Sequence, residues 1–216
     1  MYNCQLFRYG CRDMASTRSR TPRGQGAALR DRLLDAATEL IDEHGGTAGV
    51  SIRLITKRAG VSPMALYLHF EDRETLLREV IFRGFDRFLE AIEAGRDAHE
   101  TPRDRLLGMG VAYLAFARAQ PAFYTVIFGR VWPTEDGPPD PEPAEPKDPE
   151  DPGRRALQAL VDAVEACGPD GADGWVTALG LWSGLHGFAT LTATRPLVGW
   201  PPEEAFVRRL LDVWIP

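Results

Sequence analysis

Apolar residues recur at helical spacing along most of the chain, whereas the alternating pattern of a half-buried strand is scarce. In the first of these segments Leu29, Leu33 and Leu40 fall on one side of a helix, which Gly45 and Gly46 end. The pattern therefore predicts an all-α fold from its first element onward.

Capping residues predict where the later helices begin. Ser51, Ser62, Asp72 and Thr101 can each accept a hydrogen bond from the backbone at the start of the second to fifth helices. The sixth begins at Pro121, since proline is tolerated at the first helical position. Further apolar segments at 154–167, from 175 and from 201 complete a prediction of nine helices.

A proline-rich acidic segment interrupts this series. Residues 133–153 contain eight prolines, eight acidic residues and one lysine, a composition that forms neither a helix nor a core strand. We predict a flexible loop there, without a role of its own.

The second and third helices carry the signals of a helix-turn-helix. Gly60 supplies a left-handed turn between them, and the pairs Val50 with Ile55 and Val61 with Leu66 form a hydrophobic staple at the start of each helix. A short helix, a glycine turn and a capped second helix is the arrangement that carries DNA recognition. The alternative is a plain helical bundle whose core holds the aromatic residues of the third helix.

The third helix is predicted to divide between core and contact. Leu66 and Phe70, four residues apart, face inward, whereas residues 62–65 are compact or flexible enough to approach base edges and thymine methyl groups. Tyr67 and His69 carry polar tips that suit phosphate oxygens.

Residues 51–80, SIRLITKRAGVSPMALYLHFEDRETLLREV, resemble the helix-turn-helix of the tetracycline-repressor (TetR) family of transcriptional regulators. The similarity lies in the turn AGVS at 59–62, the pairs LY at 66–67 and HF at 69–70, Arg73, and the leucine pair at 76–77. Family members often have an aromatic or basic residue where this chain has Leu68, which is either a thymine-methyl contact or a mark of altered specificity.

The resemblance implies a division of labour at the DNA. Ser51 and Tyr67 are expected to bind phosphates, residues 62–65 to face the major groove, and His69 and Arg73 to contact the backbone. Before the first helix, the basic sequence STRSRTPR can form an arm that enters a minor groove or a plain solvated tail. The predicted DNA-binding residues are Arg20, Ser51, Ser62, Pro63, Met64, Ala65, Tyr67, Leu68, His69 and Arg73.

Residues 101–130 and 181–191 resemble one subgroup of these regulators, which has a Trp…His-Gly signature in its carboxy-terminal domain, here Trp182, His186 and Gly187. Many aromatic residues fall on the helices of this half, and a ring-lined pocket with few polar groups suits an apolar or aromatic small molecule. Simple core packing is the alternative. The candidate ligand-binding residues are Tyr113, Phe116, Phe123, Tyr124, Phe128, Trp175, Leu179, Trp182 and His186.

Small residues at helical spacing in the eighth helix predict a close contact between two helices. The resemblance implies a homodimer in which the last two helices of each subunit form a four-helix bundle, whereas a tight contact inside one chain is the competing interpretation. The predicted interface residues are Gly180, Gly184, Gly187, Leu191, Leu210 and Val213. The resulting domains are a disordered tail with a basic arm at 1–23, a helix-turn-helix domain at 24–72, and a helical ligand-binding and dimerisation domain at 73–216.

The charge of the chain is unevenly distributed. A formal charge of −6 and a pI near 5.3 argue against nucleic acid as a partner. Residues 16–75, however, carry nine basic against eight acidic residues, whereas residues 76–216 carry fourteen against twenty-two. The acidic excess therefore lies outside the predicted DNA-binding domain.

The cysteines and the first residues of the chain bear on the cellular compartment of the protein. Three cysteines and the lack of an apolar signal segment in the first fifteen residues favour a reducing cytoplasm. The uncharged run at 175–194 is long enough to span a bilayer, but its small polar residues and the lack of flanking basic clusters favour a buried helix. We expect a bacterial cytoplasmic protein, without membrane contact, that associates with the nucleoid when bound to DNA.

The sequence contains no HxxxH or CxxC metal spacing, no GxSxG elbow, no P-loop and no dinucleotide fingerprint. We therefore expect no enzyme, no cofactor and no metal. The predicted function is that of a homodimeric transcriptional regulator, a repressor that an apolar or aromatic ligand releases from a pseudo-palindromic double-stranded operator. The alternative is a helical ligand sensor or structural dimer with weak or lost sequence-specific DNA binding.

Overall fold

The computed structural model describes residues 25–129, 152–168 and 172–215, and within these residues the chain forms nine α-helices and no strand. The helices are α1 (Gln25–His44), α2 (Ile52–Ala59), α3 (Pro63–Tyr67), α4 (Arg73–Asp97), α5 (Pro102–Ala119), α6 (Pro121–Phe128), α7 (Pro152–Glu165), α8 (Ala172–Thr194) and α9 (Glu203–Trp214). The predicted all-α fold is confirmed. The predicted tail at 1–23, with Arg20, and residues 133–151 of the predicted loop lie outside the described residues.

The caps read from the sequence form in the structure. The Asp72 carboxylate accepts a hydrogen bond from the Thr75 amide at 2.7 Å, which lowers the pKa of Asp72. The Thr101 hydroxyl oxygen accepts one from the Asp104 amide at 3.2 Å. One boundary differs, since α7 begins at Pro152 and thus includes the last two residues of the predicted loop. A proline fits there because the first turn of a helix needs no amide donor from it.

The first three helices pack as one unit around fully buried side chains. Leu33 and Ile41 of α1, Ile55 of α2 and Leu66 of α3 each have no exposed surface. Burial of this kind orients α3, which has only five residues and is too short to be stable alone.

Helix α4 connects this unit to the rest of the molecule. Near its start, Glu79 forms an ion pair with Arg30 of α1. One turn later, Arg83 lies 3.0 Å from the Asp35 carboxylate and 3.4 Å from that of Asp31, also on α1. Side chains further along α4 are buried against α5, so the helix belongs to both units.

Close backbone contact joins α4 to α5. A β-carbon on Gly108 would lie 2.2 Å from the carbonyl oxygen of Gly95, so neither position has room for a side chain. Ion pairs then tie α5 to α9 at both ends: Arg103 with Asp212 at 2.6 Å, and Arg118 with Glu203 at 2.8 Å. The remaining helices α6, α7 and α8 pack against this framework, and a space is left among α4 to α9.

Among the described residues, no helix combines the length and the apolar character needed to cross a membrane. This includes α8, which contains the uncharged run at 175–194.

Candidate functional site

The turn between α2 and α3 is fixed by local hydrogen bonds. Gly60 adopts a left-handed conformation (φ 68°, ψ 37°), and its amide donates to the Lys57 carbonyl at 3.2 Å. The amide of Val61 donates to the Thr56 carbonyl at 2.9 Å. A residue with a side chain would be strained at Gly60, so this glycine sets the angle between the two helices.

The two cap hydroxyls keep a free donor. The Ser51 oxygen accepts from the Leu54 amide and the Ser62 oxygen from the Ala65 amide, each at 3.3 Å. A serine hydroxyl that accepts in this way still has its O–H to donate. Both serines are exposed, so both can donate to a phosphate oxygen.

The residues of α3 divide into an inner and an outer face, as predicted. Leu66 and Phe70 are 0% and 2% exposed and hold the helix against α1 and α2. On the outer side Met64 is 72%, Tyr67 52% and Leu68 77% exposed. The plain-bundle alternative would bury these three large side chains, and the structure leaves them at the surface. Pro63 is exposed and Ala65 is half-buried.

Arg73 and His69, which are predicted to contact the DNA backbone, are less exposed than most of the other predicted contacts and touch neighbouring parts of the protein. Arg73 donates from Nε to the Val50 carbonyl at 2.6 Å and from a terminal nitrogen to the Thr47 carbonyl at 2.5 Å, and a further N–H reaches Glu74 at 3.2 Å. It thus fixes the segment that leads into α2, with two of its five N–H groups left over. His69 is half-buried, and its ring lies close to Gly26 at the start of α1.

Two cations on α2 were not among the predicted contacts. Arg53 and Lys57 are exposed, four residues apart, and neither forms an ion pair within the described residues. Arg58, by contrast, lies 3.0 Å from Glu39 and 2.6 Å from Glu43, which raises its pKa. Arg53 and Lys57 are spaced so that they fall on the side of α2 away from its inward apolar residues. This spacing is visible in the sequence and could have predicted both as DNA contacts.

The second domain contains a cavity of about 320 Å³. Its walls come from α4 to α9, and none of the described lining residues carries a charge. The lining consists of Phe85, Phe88, Ile92, Leu106, Met109, Gly110, Tyr113, Ile127, Phe128, Gly153, Ala156, Leu157, Leu160, Leu181, Trp182, Leu185, Val207, Leu210 and Leu211.

A neutral hydrogen-bonded network lies at one side of this cavity. The hydroxyls of Tyr113 and Tyr124 are 2.8 Å apart, and the Tyr124 hydroxyl lies 2.7 Å from Nδ1 of His186. Burial raises the pKa of Tyr113 above its ordinary value and that of Tyr124 to about 12, and it lowers the pKa of His186. At neutral pH the tyrosines therefore stay protonated, and a neutral His186 can accept the Tyr124 hydrogen at Nδ1.

The structure brings some of the predicted ligand-binding residues together. Tyr113, Phe128 and Trp182 line the cavity, and Tyr124 and His186 are joined to Tyr113 by the hydrogen-bonded network. Phe116 packs edge-on against Phe88, with ring centroids 5.3 Å apart, rather than against the cavity itself.

The other predicted ligand-binding residues are not part of this lining, and a ligand-binding role stays a prediction for them: Phe116, Phe123, Tyr124, Trp175, Leu179 and His186. Phe123 is 1% exposed and its ring fills the space beside Gly84 of α4. Trp175 is 46% exposed and precedes Trp182 by two helical turns, a rise of about 10 Å. Leu179, on α8, is half-buried.

Two glycines of the predicted dimer interface contact a helix of their own chain, while the interface itself stays a prediction. A β-carbon on Gly180 would lie 2.5 Å from the Trp214 ring, and one on Gly184 would lie 2.9 Å from the Leu210 side chain, both on α9 of the same chain. Gly180, Gly184 and Leu210 therefore form a close contact within the subunit, which was the competing interpretation. Gly187 has no atom within 4 Å of such a β-carbon.

Two other predicted interface residues remain at the surface. Leu191 is 47% and Val213 66% exposed.

The comparisons with known proteins fit this arrangement. Residues 33–80 match the model of bacterial regulatory proteins of the tetR family, and residues 106–214 match that of a tetracyclin repressor-like C-terminal domain. The uncharacterized HTH-type transcriptional regulator YobS of Bacillus subtilis (strain 168) is 28% identical over 92 residues, which are 43% of this chain and 47% of YobS. The chain thus spans about half the length of this curated relative.

Solved structures share the fold over most of the chain. A protein with unknown function from Rhodococcus sp. RHA1 is 27% identical, with a TM-score of 0.70 over 90% of this chain and 97% of that one. The transcriptional regulator FadR from Bacillus subtilis is 16% identical, with a TM-score of 0.63 over 86% of this chain and 97% of that one, which shows the fold alone.

The matched models concern regulatory proteins, and the expectation of a regulator rather than an enzyme is confirmed. The Trp…His-Gly subgroup stays a prediction, because the matched C-terminal model is described only as tetracyclin repressor-like. With one family model on the helix-turn-helix and a second on half of the chain, the chain belongs to the TetR family of bacterial regulatory proteins.

Proposed function

We propose that the chain is a DNA-binding transcriptional regulator, a repressor that places α3 in the major groove of its operator. The observation that carries this proposal is the split of α3. Its inner side is fixed by Leu66 and Phe70, while Met64, Tyr67 and Leu68 are exposed on its outer side. A capped, buried and strongly oriented short helix with an exposed outer face is suited to present side chains to base edges.

The surroundings of α3 supply contacts for the DNA backbone. The hydroxyls of Ser51, Ser62 and Tyr67 can donate to phosphate oxygens, and the exposed cations Arg53 and Lys57 add charge. Arg73 and His69 act chiefly by fixing the segments around the motif, and the basic arm with Arg20 contributes from the minor groove.

In-vitro selection from random duplexes, with binding measured over a range of salt, tests this function. We expect a palindromic consensus whose half-sites lie about one helical turn, ~34–36 Å, apart. Lys57→Ala should weaken binding to all duplexes alike and reduce the slope of log K against log salt by about one per half-site. Arg118→Ala, the same charge change on α5, should leave the slope unchanged. No enriched duplex would contradict the proposal and favour a sensor without specific DNA binding.

We also propose a homodimer built on the outer surface of α8 and α9. Most of the large apolar residues exposed outside α3 belong to these helices: Trp175, Val176, Leu191, Val213 and Trp214. A patch of this kind on two neighbouring helices is typical of an interface, and a two-fold pair would present two copies of α3 to a palindromic site.

Sedimentation of a charged variant tests the dimer. Val213→Glu places a charge in the proposed interface and should shift the protein from dimer to monomer. Leu197→Glu changes a fully exposed leucine in the segment between α8 and α9 and should leave the mass unchanged. An unchanged mass for Val213→Glu would remove the interface from this surface.

The third part of the proposal is a small effector in the cavity. A volume of about 320 Å³ is at the lower end of ligand pockets, and the uncharged lining suits an apolar or aromatic molecule. FadR from Bacillus subtilis, which shares the fold, was crystallised with stearoyl-CoA, which supports the idea that this fold can hold an apolar ligand. The effector would release the operator by binding the DNA-competent and released states unequally.

A cavity-filling variant tests the effector site. Ala156 is buried and lines the cavity, so Ala156→Leu should abolish the thermal stabilisation by an apolar aromatic probe such as naphthalene while operator binding persists. Ala166→Leu, exposed near the end of α7, is the matched control. Equal stabilisation of wild type and Ala156→Leu would show that the cavity is ordinary core.

A further inference from the structure

The exposed face of α3 is apolar in its chemistry as well as in its position. Met64 and Leu68 are four residues apart and therefore neighbours on the helix surface. Leu68 caps the helix with helical dihedrals (φ −75°, ψ −15°), so the spacing holds to the end. At 72% and 77% exposure, each keeps most of its apolar surface available to a partner.

The side chains that read most bases are missing from this helix. Guanine is read by arginine or lysine at O6 and N7, and adenine by asparagine or glutamine at N6 and N7. Residues 63–68, PMALYL, include none of these four types. Thymine alone presents a methyl group in the major groove, and an apolar side chain is the partner that buries it.

Charge complementarity makes duplex DNA the occupant of this face. The exposed cations Arg53 and Lys57 lie on α2, the neighbouring helix, and form no ion pair within the described residues. The Ser51 and Ser62 hydroxyls are free to donate beside them. An apolar protein surface would satisfy Met64 and Leu68 but would leave these donors and charges without acceptors.

We propose that Met64 and Leu68 determine the sequence specificity of this protein by burying the C5 methyl groups of thymines in each half-site. The inference rests on the proposed DNA-binding function and specifies how that site discriminates. The half-site is therefore rich in thymine at the positions under α3, and its recognition depends on apolar contact more than on bidentate hydrogen bonds.

Deoxyuridine replacement tests the proposal on the full chain. It removes only the methyl group of thymine and keeps the base pair. Starting from the selected operator, each half-site thymine is replaced singly, and binding is measured at fixed salt. We expect a loss of about fourfold for each methyl that is in contact, and no loss for thymines outside the half-sites.

A pairing of protein and DNA changes assigns the contact. Leu68→Ala and Met64→Ala should each lose affinity for the thymine duplex and become insensitive to at least one deoxyuridine replacement. Leu197→Ala, a fully exposed leucine outside the motif, should keep the wild-type sensitivity.

The outcomes separate this inference from the function on which it rests. A selected operator that binds equally well with deoxyuridine throughout overturns the methyl readout and leaves DNA binding intact. Sensitivity to deoxyuridine that persists unchanged in both alanine variants overturns the assignment to Met64 and Leu68. Failure to select any duplex overturns the proposed function and this inference together.

Discussion

The molecule holds two sets of apolar side chains in opposite surroundings. On α3, Met64 and Leu68 are 72% and 77% exposed, whereas Phe88 and Leu181 at the cavity are 3% and 2% exposed. Side chains of the first kind add little to the free energy of unfolding, because folding removes little of their surface from water. Those of the second kind stabilise the fold, and only the space between them is open to a ligand. Binding and stability are thus separable at α3 and coupled at the cavity.

The largest expected effect on stability concerns the close contact between α4 and α5, next to the cavity. Gly108→Val would place a side chain into the backbone of α4, where even a β-carbon lies 2.2 Å from the Gly95 oxygen. We expect a loss of at least about 3 kcal/mol in the free energy of unfolding, or no folded protein. Chemical denaturation followed by circular dichroism measures this.

Gly187→Ala is the matched control for that variant. A β-carbon there meets no atom within 4 Å, so the change should be neutral or should stabilise α8 by up to ~1 kcal/mol. Equal midpoints for the two variants would mean that α4 and α5 do not need their close approach.

The next effect compares two leucines of one short segment. Leu66 is fully buried and Leu68 is 77% exposed. Leu66→Ala should lower the free energy of unfolding by about 2–5 kcal/mol, while Leu68→Ala should stay within about 0.5 kcal/mol of wild type. If both lose stability in urea titrations, the outer face of α3 is part of a core and the comparison fails.

A smaller effect is expected at the cap of α3. Ser62→Ala removes the acceptor of the Ala65 amide and should cost about 1 kcal/mol. Ser183→Ala, exposed in the middle of α8, replaces the same residue type where alanine favours the helix. A thermal melt that ranks the two in the opposite order would show that the cap does not hold α3.

The smallest expected effect is a pH dependence of stability that arises from His186 in the network beside the cavity. Burial lowers the pKa of His186 in the folded protein, whereas the unfolded chain takes up a proton as the pH falls through ~6.5. Stability from this group is thus present above that value and is lost as the pH falls from there toward the lower folded-state pKa.

Melting curves at pH 7.5 and 5.5 measure the contribution of His186. We expect the decrease in Tm to be smaller for His186→Gln than for wild type, while His99→Gln, an exposed histidine before α5, behaves as wild type. A wild-type decrease in His186→Gln would place the pH dependence elsewhere.

The difference between the two regions also explains what could be predicted from the sequence. The helix-turn-helix is encoded by neighbours: Ser51, Gly60 and Ser62 act through hydrogen bonds to residues at most four positions away. Rules for caps, staples and turns describe such short-range effects, and the buried and exposed residues of α3 followed from them.

The cavity could be predicted only in outline. Its lining joins Phe88 of α4, Leu157 of α7 and Val207 of α9, and nothing in their local sequences shows that these helices meet. An aromatic-rich segment indicates core in general but does not tell which rings face a cavity: Tyr113 and Trp182 line it, whereas Phe123 and Trp175 do not.

Long-range contacts also explain why the contacts of Arg73 and of the α8 glycines could not be read from the sequence. Arg73 has the pattern of a DNA contact, but its Nε donates to a carbonyl 23 residues away. Gly180 and Gly184 have the spacing of a helix interface, but spacing does not tell whether the second helix belongs to the same chain.

Helices α4 and α5 touch backbone to backbone across a connection of only residues 98–101. Contacts between segments so close along the chain need little loop-closure entropy, and proteins rich in such contacts fold fast. We therefore expect this helical hairpin to form early in folding and the contacts of α9 with α5, which join residues about a hundred positions apart, to form late. Substitutions at the α4–α5 contact should then slow refolding, while those at Arg103 or Asp212 should mainly speed unfolding.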